Sequence, residues 1–189
     1  MRPFTVLFDS CVFYPARLRS LLMYLGGTDL FWGRWTDDIH EEWMQAVLED
    51  FPDISRADME RTRDLMNEST LDCLVTGYQE LAEHLSLPDL NDRHVLAAAI
   101  VGRADAIVTF NLDDFPSERL RHYDIEAIHP DDFLLCQFDL SPAQFLGAVN
   151  LHRGSLKNPP RSPSEYLDEL EKNQLPRTVE LLRRHFDEI

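Results

Sequence analysis

The stretch Phe4-Thr5-Val6-Leu7-Phe8-Asp9-Ser10 decides the fold class of this chain. A short apolar run that ends at a polar residue is typical of a strand buried in a parallel sheet. A second run of this kind is Ala106-Ile107-Val108-Thr109-Phe110, and acidic residues follow it as Asp9 follows the first. The carboxyl ends of parallel strands meet at one edge of a sheet, which is the usual ligand-binding edge. We therefore expect these distant acids to lie close together.

Helical patterns separate the predicted strands. Leucines at helical spacing follow Pro15, Thr36 is placed to cap a helix that extends to Asp50, and the small residues of Val95–Val101 suit a helix packed against a sheet. The alternation of strands and helices predicts an α/β domain with right-handed crossovers. Further strands are predicted at Leu30–Trp32, Cys73–Val75 and Glu126–His129.

From Pro130 onward the pattern changes to helices alone. This change predicts two units, a domain of residues 1–135 and a helical C-terminal extension of residues 136–189. The helices of the second part are predicted at Asp131–Gln137, Pro142–His152, Glu165–Lys172 and Thr178–Phe186.

The composition indicates a globular intracellular protein. The 189 residues are 44% hydrophobic, and no apolar run reaches the roughly 18–20 residues that span a membrane. The N-terminal Met1–Phe4 leads directly into a strand and shows no signal peptide. The cysteines Cys11, Cys73 and Cys136 form no zinc-binding spacing. We therefore predict a cytoplasmic location with reduced thiols and no association with a membrane.

The charge is strongly acidic and unevenly distributed. The formal net charge is −16, and residues 131–189 carry only −3 of it, so the first 130 residues carry −13. Broad, non-specific binding of nucleic acid normally needs a basic face and is therefore not expected. An acidic body instead suits a basic protein partner.

Four acidic islands carry the chemistry that the sequence predicts. They are Asp9, Glu41 with Glu42, Asp89 with Asp92, and Asp113 with Asp114. Any one of these acids could be a helix cap or a turn residue. Gathered at one sheet edge they would repel one another unless a divalent cation neutralised them. Because hard oxygen ligands select Mg²⁺ or Mn²⁺ over zinc, the pattern predicts a metal-dependent phosphodiester hydrolase.

The stretches around these islands resemble the PIN domains, and among them the ribonuclease toxins of VapC type. The resemblance covers roughly residues 4–130, and four matches in the right order and spacing make it specific. It implies a PIN-like three-layer α/β/α domain with a central parallel sheet, here followed by the helical C-terminal extension. The matching stretches are Val6–Val12, Asp38–Trp43, Leu87–Ala99 and Ala106–Pro116.

The resemblance also implies a set of catalytic, metal-binding acids. Asp9 matches the first and Asp92 the third. Glu42 matches the second better than Glu41 does, because it directly precedes a large apolar residue. Asp114 matches the fourth and least certain position.

Other positions match the surroundings of the family's site. Asn111 stands where some members carry another Asp, so Asn111, Asp113 and Asp114 all remain candidates for the fourth position. Asp89 matches an acidic companion in the loop. The substrate-binding candidates are Ser10, Thr109, Asn111 and Arg93.

The function implied by the resemblance is that of a metal-dependent endoribonuclease that uses Mg²⁺ or Mn²⁺. The toxin branch further implies a cognate antitoxin, and we expect the protein to form a homodimer. The alternative is a catalytically inactive PIN-like module for protein interaction. The charge of −13 on the first 130 residues and the amide of Asn111 both favour this alternative.

Two other enzyme classes fit parts of the sequence less well. Cys11 and Arg17 have the Cys-x5-Arg spacing of the cysteine phosphatases, but the loop between them is bulky and contains no glycine. Phosphatases of the haloacid-dehalogenase type need a second Asp at the position of Cys11. The histidines form no recognisable metal pair, and we interpret them as surface or capping residues.

Overall fold

A four-stranded parallel sheet forms the centre of the protein. The computed structural model describes residues 4–189, and the prediction made for Met1–Pro3 lies outside them. The strands are β1 (Thr5–Phe8), β2 (Trp32–Arg34), β3 (Ala106–Val108) and β4 (Glu126–Ile128), in the order β2-β1-β3-β4. The chain moves outward in opposite directions from β1 and from β3, so the switch point at which α/β proteins place a site lies between them. The predicted α/β fold with a central parallel sheet and a helical C-terminal region is confirmed.

Eleven α-helices of four or more residues surround this sheet in the described part of the chain. Before β3 they are α1 (Ser10–Phe13), α2 (Ala16–Gly26), α3 (Asp37–Asp50), α4 (Arg56–Ser69), α5 (Gln79–His84) and α6 (Arg93–Val101). After β3 they are α7 (Ser117–Leu120), α8 (Pro130–Leu140), α9 (Pro142–Ser155), α10 (Pro163–Glu171) and α11 (Pro176–Arg184). None of the helices within residues 4–189 has both the length and the apolar character of a membrane span.

The central strand β1 is buried along its whole length, which explains its continuous apolar sequence. Its pairing continues beyond its last residue, because the Asp9 N–H donates to the Val108 carbonyl at 3.1 Å. The Thr109 N–H likewise donates to the Ile128 carbonyl at 3.1 Å. The residues that follow β1 and β3 are therefore held side by side at the carboxyl edge of the sheet.

The second strand differs from its prediction by two residues, since it occupies Trp32–Arg34 and not Leu30–Trp32. Glycine is uncommon in the interior of a strand. A strand centred on Gly33 was therefore not predicted from the sequence. In the structure a Cβ at Gly33 would lie only 3.2 Å from the rings of Phe8 and Trp35. A glycine permits this close packing of the strand against its neighbours.

Two other predicted strands are shorter than expected. Residues Cys73–Val75 contribute only one isolated bridge, in which Leu74 pairs with Trp35. Strand β3 ends at Val108 and does not reach Phe110. The chain turns away there because the hydroxyl oxygen of Thr109 accepts a hydrogen bond from the backbone N–H of Asn111 at 3.0 Å.

The two helices that carry predicted site residues are fixed by local sequence. Helix α3 begins after Thr36, whose hydroxyl oxygen accepts a hydrogen bond from the Ile39 N–H at 3.0 Å. Helix α6 contains Ala97, Ala98 and Ala99, all fully buried, and it packs against both β1 and β3. The small side chains allow this close approach of a helix to the sheet.

The C-terminal helices share the hydrophobic core of the sheet. The ring of Phe133 on α8 lies 5.7 Å from that of Phe8 and 5.0 Å from that of Phe31, measured between centroids. The Asp131 carboxylate accepts hydrogen bonds from the backbone N–H groups of Arg177 and Thr178, at 2.9 and 2.8 Å, and so caps α11. Residue 135 lies inside α8, and the division there stays a prediction.

Candidate active site

The carboxylate of Asp9 is held at the centre of the carboxyl edge. It is 4% exposed, and one oxygen accepts a hydrogen bond from the Ser10 N–H at 2.6 Å. The other oxygen accepts from the Thr109 hydroxyl at 2.7 Å and from the Cys11 thiol at 3.2 Å. Since Thr109 follows β3, the ends of the two central strands jointly orient this acid. Thr109 is fully buried, so its side chain serves Asp9 and does not face solvent.

Asp92 stands at the start of α6 and lies close to other acids. Burial, and then the charges of Asp9, Asp114 and Asp89 in that order, raise its pKa to about 6, although His94 acts in the opposite direction. The side chain forms no hydrogen bond that caps the helix, so a capping role does not explain it. The structure thus brings three of the four predicted acids into electrostatic contact, although they are far apart in the chain.

Glu42, on α3, contacts the helix that begins after Asp92, and the contact is made with a histidine. Its Oε1 lies 2.7 Å from Nε2 of His94, which is on the first turn of α6. Burial lowers the pKa of His94, but the hydrogen bond and charge of Glu42, with smaller effects from Asp38 and Asp9, outweigh burial and raise it. This pairing joins the helix of the second acid to the helix of the third.

The neighbouring Glu41 has a different environment. Its carboxylate forms two hydrogen bonds, of 2.7 and 2.5 Å, with the guanidinium of Arg56 on α4. This hydrogen bonding lowers the pKa of Glu41. Glu41 therefore belongs to an exposed salt bridge between α3 and α4, whereas Glu42 contacts the helix that bears Asp92.

The fourth position lies on a short 3₁₀ helix, Leu112–Asp114. Asp114 is partly buried and its charge acts on Asp92, whereas Asp113 is exposed and is not among the groups that raise the pKa of Asp92. Asn111 is exposed beside them. Of the three candidates, Asp114 is the one whose charge acts on the other acids.

The remaining substrate-binding candidates lie at the margin of this acidic edge. The Ser10 hydroxyl is 3.4 Å from Asp9 and is partly exposed. Arg93 does not extend freely toward the acids, because its Nε donates to the carbonyl of Leu90 at 2.8 Å. Its guanidinium therefore also stabilises the loop before α6.

The donor set matches a hard divalent cation. Carboxylate oxygens of Asp9, Asp92, Asp114 and Glu42 are the ligand type that Mg²⁺ and Mn²⁺ prefer. Within residues 4–189, however, no group of three or more His, Cys, Asp or Glu side chains is close enough to form a ready-made metal cluster. The pKa of Asp92 is raised first by burial and then by the charges of Asp9, Asp114 and Asp89, so these acids are near enough to repel one another.

The cysteine-phosphatase interpretation does not fit the structure. Burial, followed by the charge of Asp9, raises the pKa of the Cys11 thiol to about 12, so the nucleophilic thiolate is strongly disfavoured. Arg17 points away and forms a 2.6 Å salt bridge with Glu169 of α10. Neither residue is placed to bind a phosphate group as that class requires.

Comparison with known proteins agrees with this architecture. Residues 130–184 match the family model for the VapC50 C-terminal domain. Over 114 residues the chain is 43% identical to a protein of Mycobacterium tuberculosis (strain ATCC 25618 / H37Rv) named "Putative ribonuclease VapC50", covering 58% of this chain and 64% of that protein. These two matches support the predicted resemblance to the VapC-type ribonucleases, with a C-terminal extension. The chain thus spans somewhat less than two thirds of the length of its curated relative.

One residue of this candidate site was missed by sequence reasoning. His94 was interpreted as a surface or capping histidine, but its side chain is only 17% exposed and contacts Glu42. The available signal was its spacing, since His94 lies two residues after Asp92 at the start of an Ala-rich helix. That signal alone did not indicate the partner, because Glu42 is distant in the sequence.

Proposed function

We propose that this protein is a metal-dependent endoribonuclease and the toxin of a toxin–antitoxin pair. The observation that carries the proposal is the mutual proximity of Asp9, Asp92 and Asp114 at the carboxyl edge of the sheet. A protein tolerates such unbalanced charge at a functional site more often than elsewhere. The name of the curated relative, a ribonuclease, supports the same reaction class.

Asp9, Glu42, Asp92 and Asp114 would hold Mg²⁺ or Mn²⁺, directly or through water. When bound, a divalent cation supplies charge neutralisation beside the phosphate and lowers the pKa of coordinated water. The other residues of the chain orient the carboxylates that would bind the metal. Ser10 and Thr109 hold the Asp9 carboxylate, and His94 holds that of Glu42.

The proposed substrate and partners rest on the likeness to the curated ribonuclease relative. The exposed Asn111 and the partly exposed Ser10 and Arg93 border the acids and would contact the RNA. The cognate antitoxin would present a basic segment, to which the net charge of −16 is complementary. We further propose that the protein acts in the cytoplasm as a homodimer.

A cleavage assay with a matched pair of variants tests the reaction. Asp9→Asn keeps the size of the side chain and one acceptor oxygen, so it should fold normally but lose cleavage of RNA in Mn²⁺. Asp53→Asn changes an exposed acid in the turn between α3 and α4 and should retain full activity. EDTA should abolish cleavage by the unmodified protein. Full activity of Asp9→Asn would refute the proposed site.

The alternative function, an inactive protein-interaction module, is favoured by one observation. No ready-made metal cluster is found within residues 4–189. A thermal melt separates the two possibilities, because a cation that binds the folded state raises the melting temperature by mass action. Millimolar Mn²⁺ should raise the melting temperature relative to EDTA, and an unchanged value would support the interaction module.

A further inference from the structure

A groove beside the acidic edge is formed jointly by the sheet domain and the C-terminal helices. Its volume is about 560 Å³. On the side of the sheet it is lined by Ser10, Glu42 and Asn111, among others. Ser10 directly follows Asp9, and Glu42 contacts the helix of Asp92, so the groove leads to the acids.

The C-terminal helices contribute to the lining the turn Lys172–Gln174, which connects α10 to α11. This turn is held firmly in place. The Asn173 amide donates to the Glu169 carbonyl at 2.6 Å, and Leu175, which ends the turn, is fully buried. Gln174 adopts a left-handed backbone conformation with φ of 60°, which completes the reversal of the chain. The C-terminal helices therefore place this turn at a fixed position beside the acids.

Lys172 places a positive charge in a groove that lies beside acidic residues. It is one of only two lysines in the protein and the one cationic side chain that lines the groove among residues 4–189. It is exposed, and within that part of the chain it forms no salt bridge. A polyanionic strand that approaches the acids needs such a cation, because the acids themselves repel it.

The other groups of the groove suit a single-stranded nucleic acid better than a protein segment. The side-chain amides of Asn111 and Gln174 can both donate to and accept from the edges of unpaired bases. The partly buried ring of Phe110 offers an apolar surface on which a base can stack. The amides therefore suit base edges, the ring suits a stacked base, and the cation suits a phosphate of the same strand.

We propose that the turn Lys172–Gln174 is a substrate-binding element in which Lys172 contacts a backbone phosphate of single-stranded RNA. The C-terminal extension would thereby form one side of the path along which the strand reaches the acids. This inference rests on the proposed ribonuclease function and adds to it a specific subsite.

The test measures binding separately from cleavage. A short single-stranded RNA labelled with fluorescein is titrated in EDTA, which prevents metal-dependent cleavage, and fluorescence anisotropy is followed at several salt concentrations. Lys172→Gln should weaken binding roughly tenfold at low salt, as expected for the loss of one charged hydrogen bond. The slope of log K against log salt should fall by about 0.7, the value for one phosphate contact with a single strand. Lys172→Arg should restore both values.

The matched control is Lys157→Gln, which removes the other lysine, also exposed but outside the groove. It should leave the affinity and the salt dependence unchanged. In Mn²⁺, Lys172→Gln should raise KM for RNA with little change in kcat. If the unmodified protein cleaves RNA but Lys172→Gln binds with the same affinity and slope, the subsite is refuted, the groove is open to a protein segment, and the ribonuclease function stands. If the unmodified protein neither binds nor cleaves RNA, both proposals are refuted.

Discussion

His94 on α6 and Glu42 on α3 are joined side chain to side chain, with 2.7 Å between Nε2 and Oε1. The contact couples two helices that each carry one of the proposed metal-binding acids. His94 is thus a positioning residue for Glu42.

We expect His94→Gln to raise the Mn²⁺ concentration needed for half-maximal activity about tenfold, since partners of metal ligands commonly have effects of this size. Activity at saturating Mn²⁺ should recover largely. The measurement is a metal titration of RNA cleavage, with the exposed His122→Gln as control. An unchanged metal dependence would show that the contact does not position the site.

Thr109 provides a second prediction, because its buried hydroxyl donates to Asp9. Thr109→Val removes the donor with little change in volume and should lower the free energy of unfolding by about 1–2 kcal/mol. It should also reduce cleavage, since Asp9 loses one of its orienting bonds. Thr109→Ser retains the hydroxyl and should behave nearly as the unmodified protein does. A loss in Thr109→Ser with none in Thr109→Val would instead point to packing of the methyl group as the cause.

A third prediction concerns Asp92, which is partly buried and repelled by neighbouring acids. Its pKa of about 6 lies above the ordinary value, so the folded state disfavours the charged form. Stability is therefore lost as pH rises from about 4 to about 6, because the unfolded chain releases this proton first. In EDTA above pH 6, Asp92→Asn should melt about 3 °C higher, corresponding to about 1 kcal/mol after allowance for solvent screening.

The same substitution should abolish the rise in melting temperature produced by Mn²⁺. If Asp92→Asn melts higher in EDTA, the charge of Asp92 destabilises the metal-free protein. If the same variant no longer responds to Mn²⁺, the carboxylate of Asp92 also binds the metal. Asp53→Asn, an exposed acid, should show neither effect. If Asp92→Asn destabilised the metal-free protein at neutral pH, the proposed repulsion would be wrong.

A fourth prediction concerns the C-terminal helices. His152 of α9 is fully buried, and its Nδ1 lies 2.8 Å from the Tyr166 hydroxyl of α10. Burial, and then the charge of Arg17, lowers its pKa to about 4, although Glu169 acts in the opposite direction. The folded state therefore resists protonation of this ring.

The unfolded chain binds this proton below pH of about 6.5, whereas the folded chain does so only near 4. Stability should thus fall by up to about 3 kcal/mol as pH falls through this window. Urea unfolding at several pH values measures the effect, and His152→Gln should flatten it. His84→Gln, on an exposed histidine, should keep the full dependence. A dependence that is equally steep in His152→Gln would exclude this histidine as the cause.

The sequence was most informative where a pattern is local. The apolar run before Asp9 predicted a buried strand, and Thr36 predicted a helix start, because backbone pairing and capping depend on adjacent residues. It was least informative for β2, since the packing that makes Gly33 favourable in a strand involves the distant Phe8. The proposed acids and their gathering at one sheet edge were predicted from the sequence, but the side chains that hold them, such as His94 beside Glu42, were not.

The sequence by itself determined the α/β class, the starts of the helices and the candidate acids, because strand periodicity, caps and residue chemistry are properties of short segments. Only the tertiary structure decided that Glu42 contacts His94, that Glu41 pairs with Arg56, and that Lys172 and Ser10 line the same groove. These relationships join residues far apart in the chain. They depend on how whole helices pack on the sheet, and no short segment contains that information.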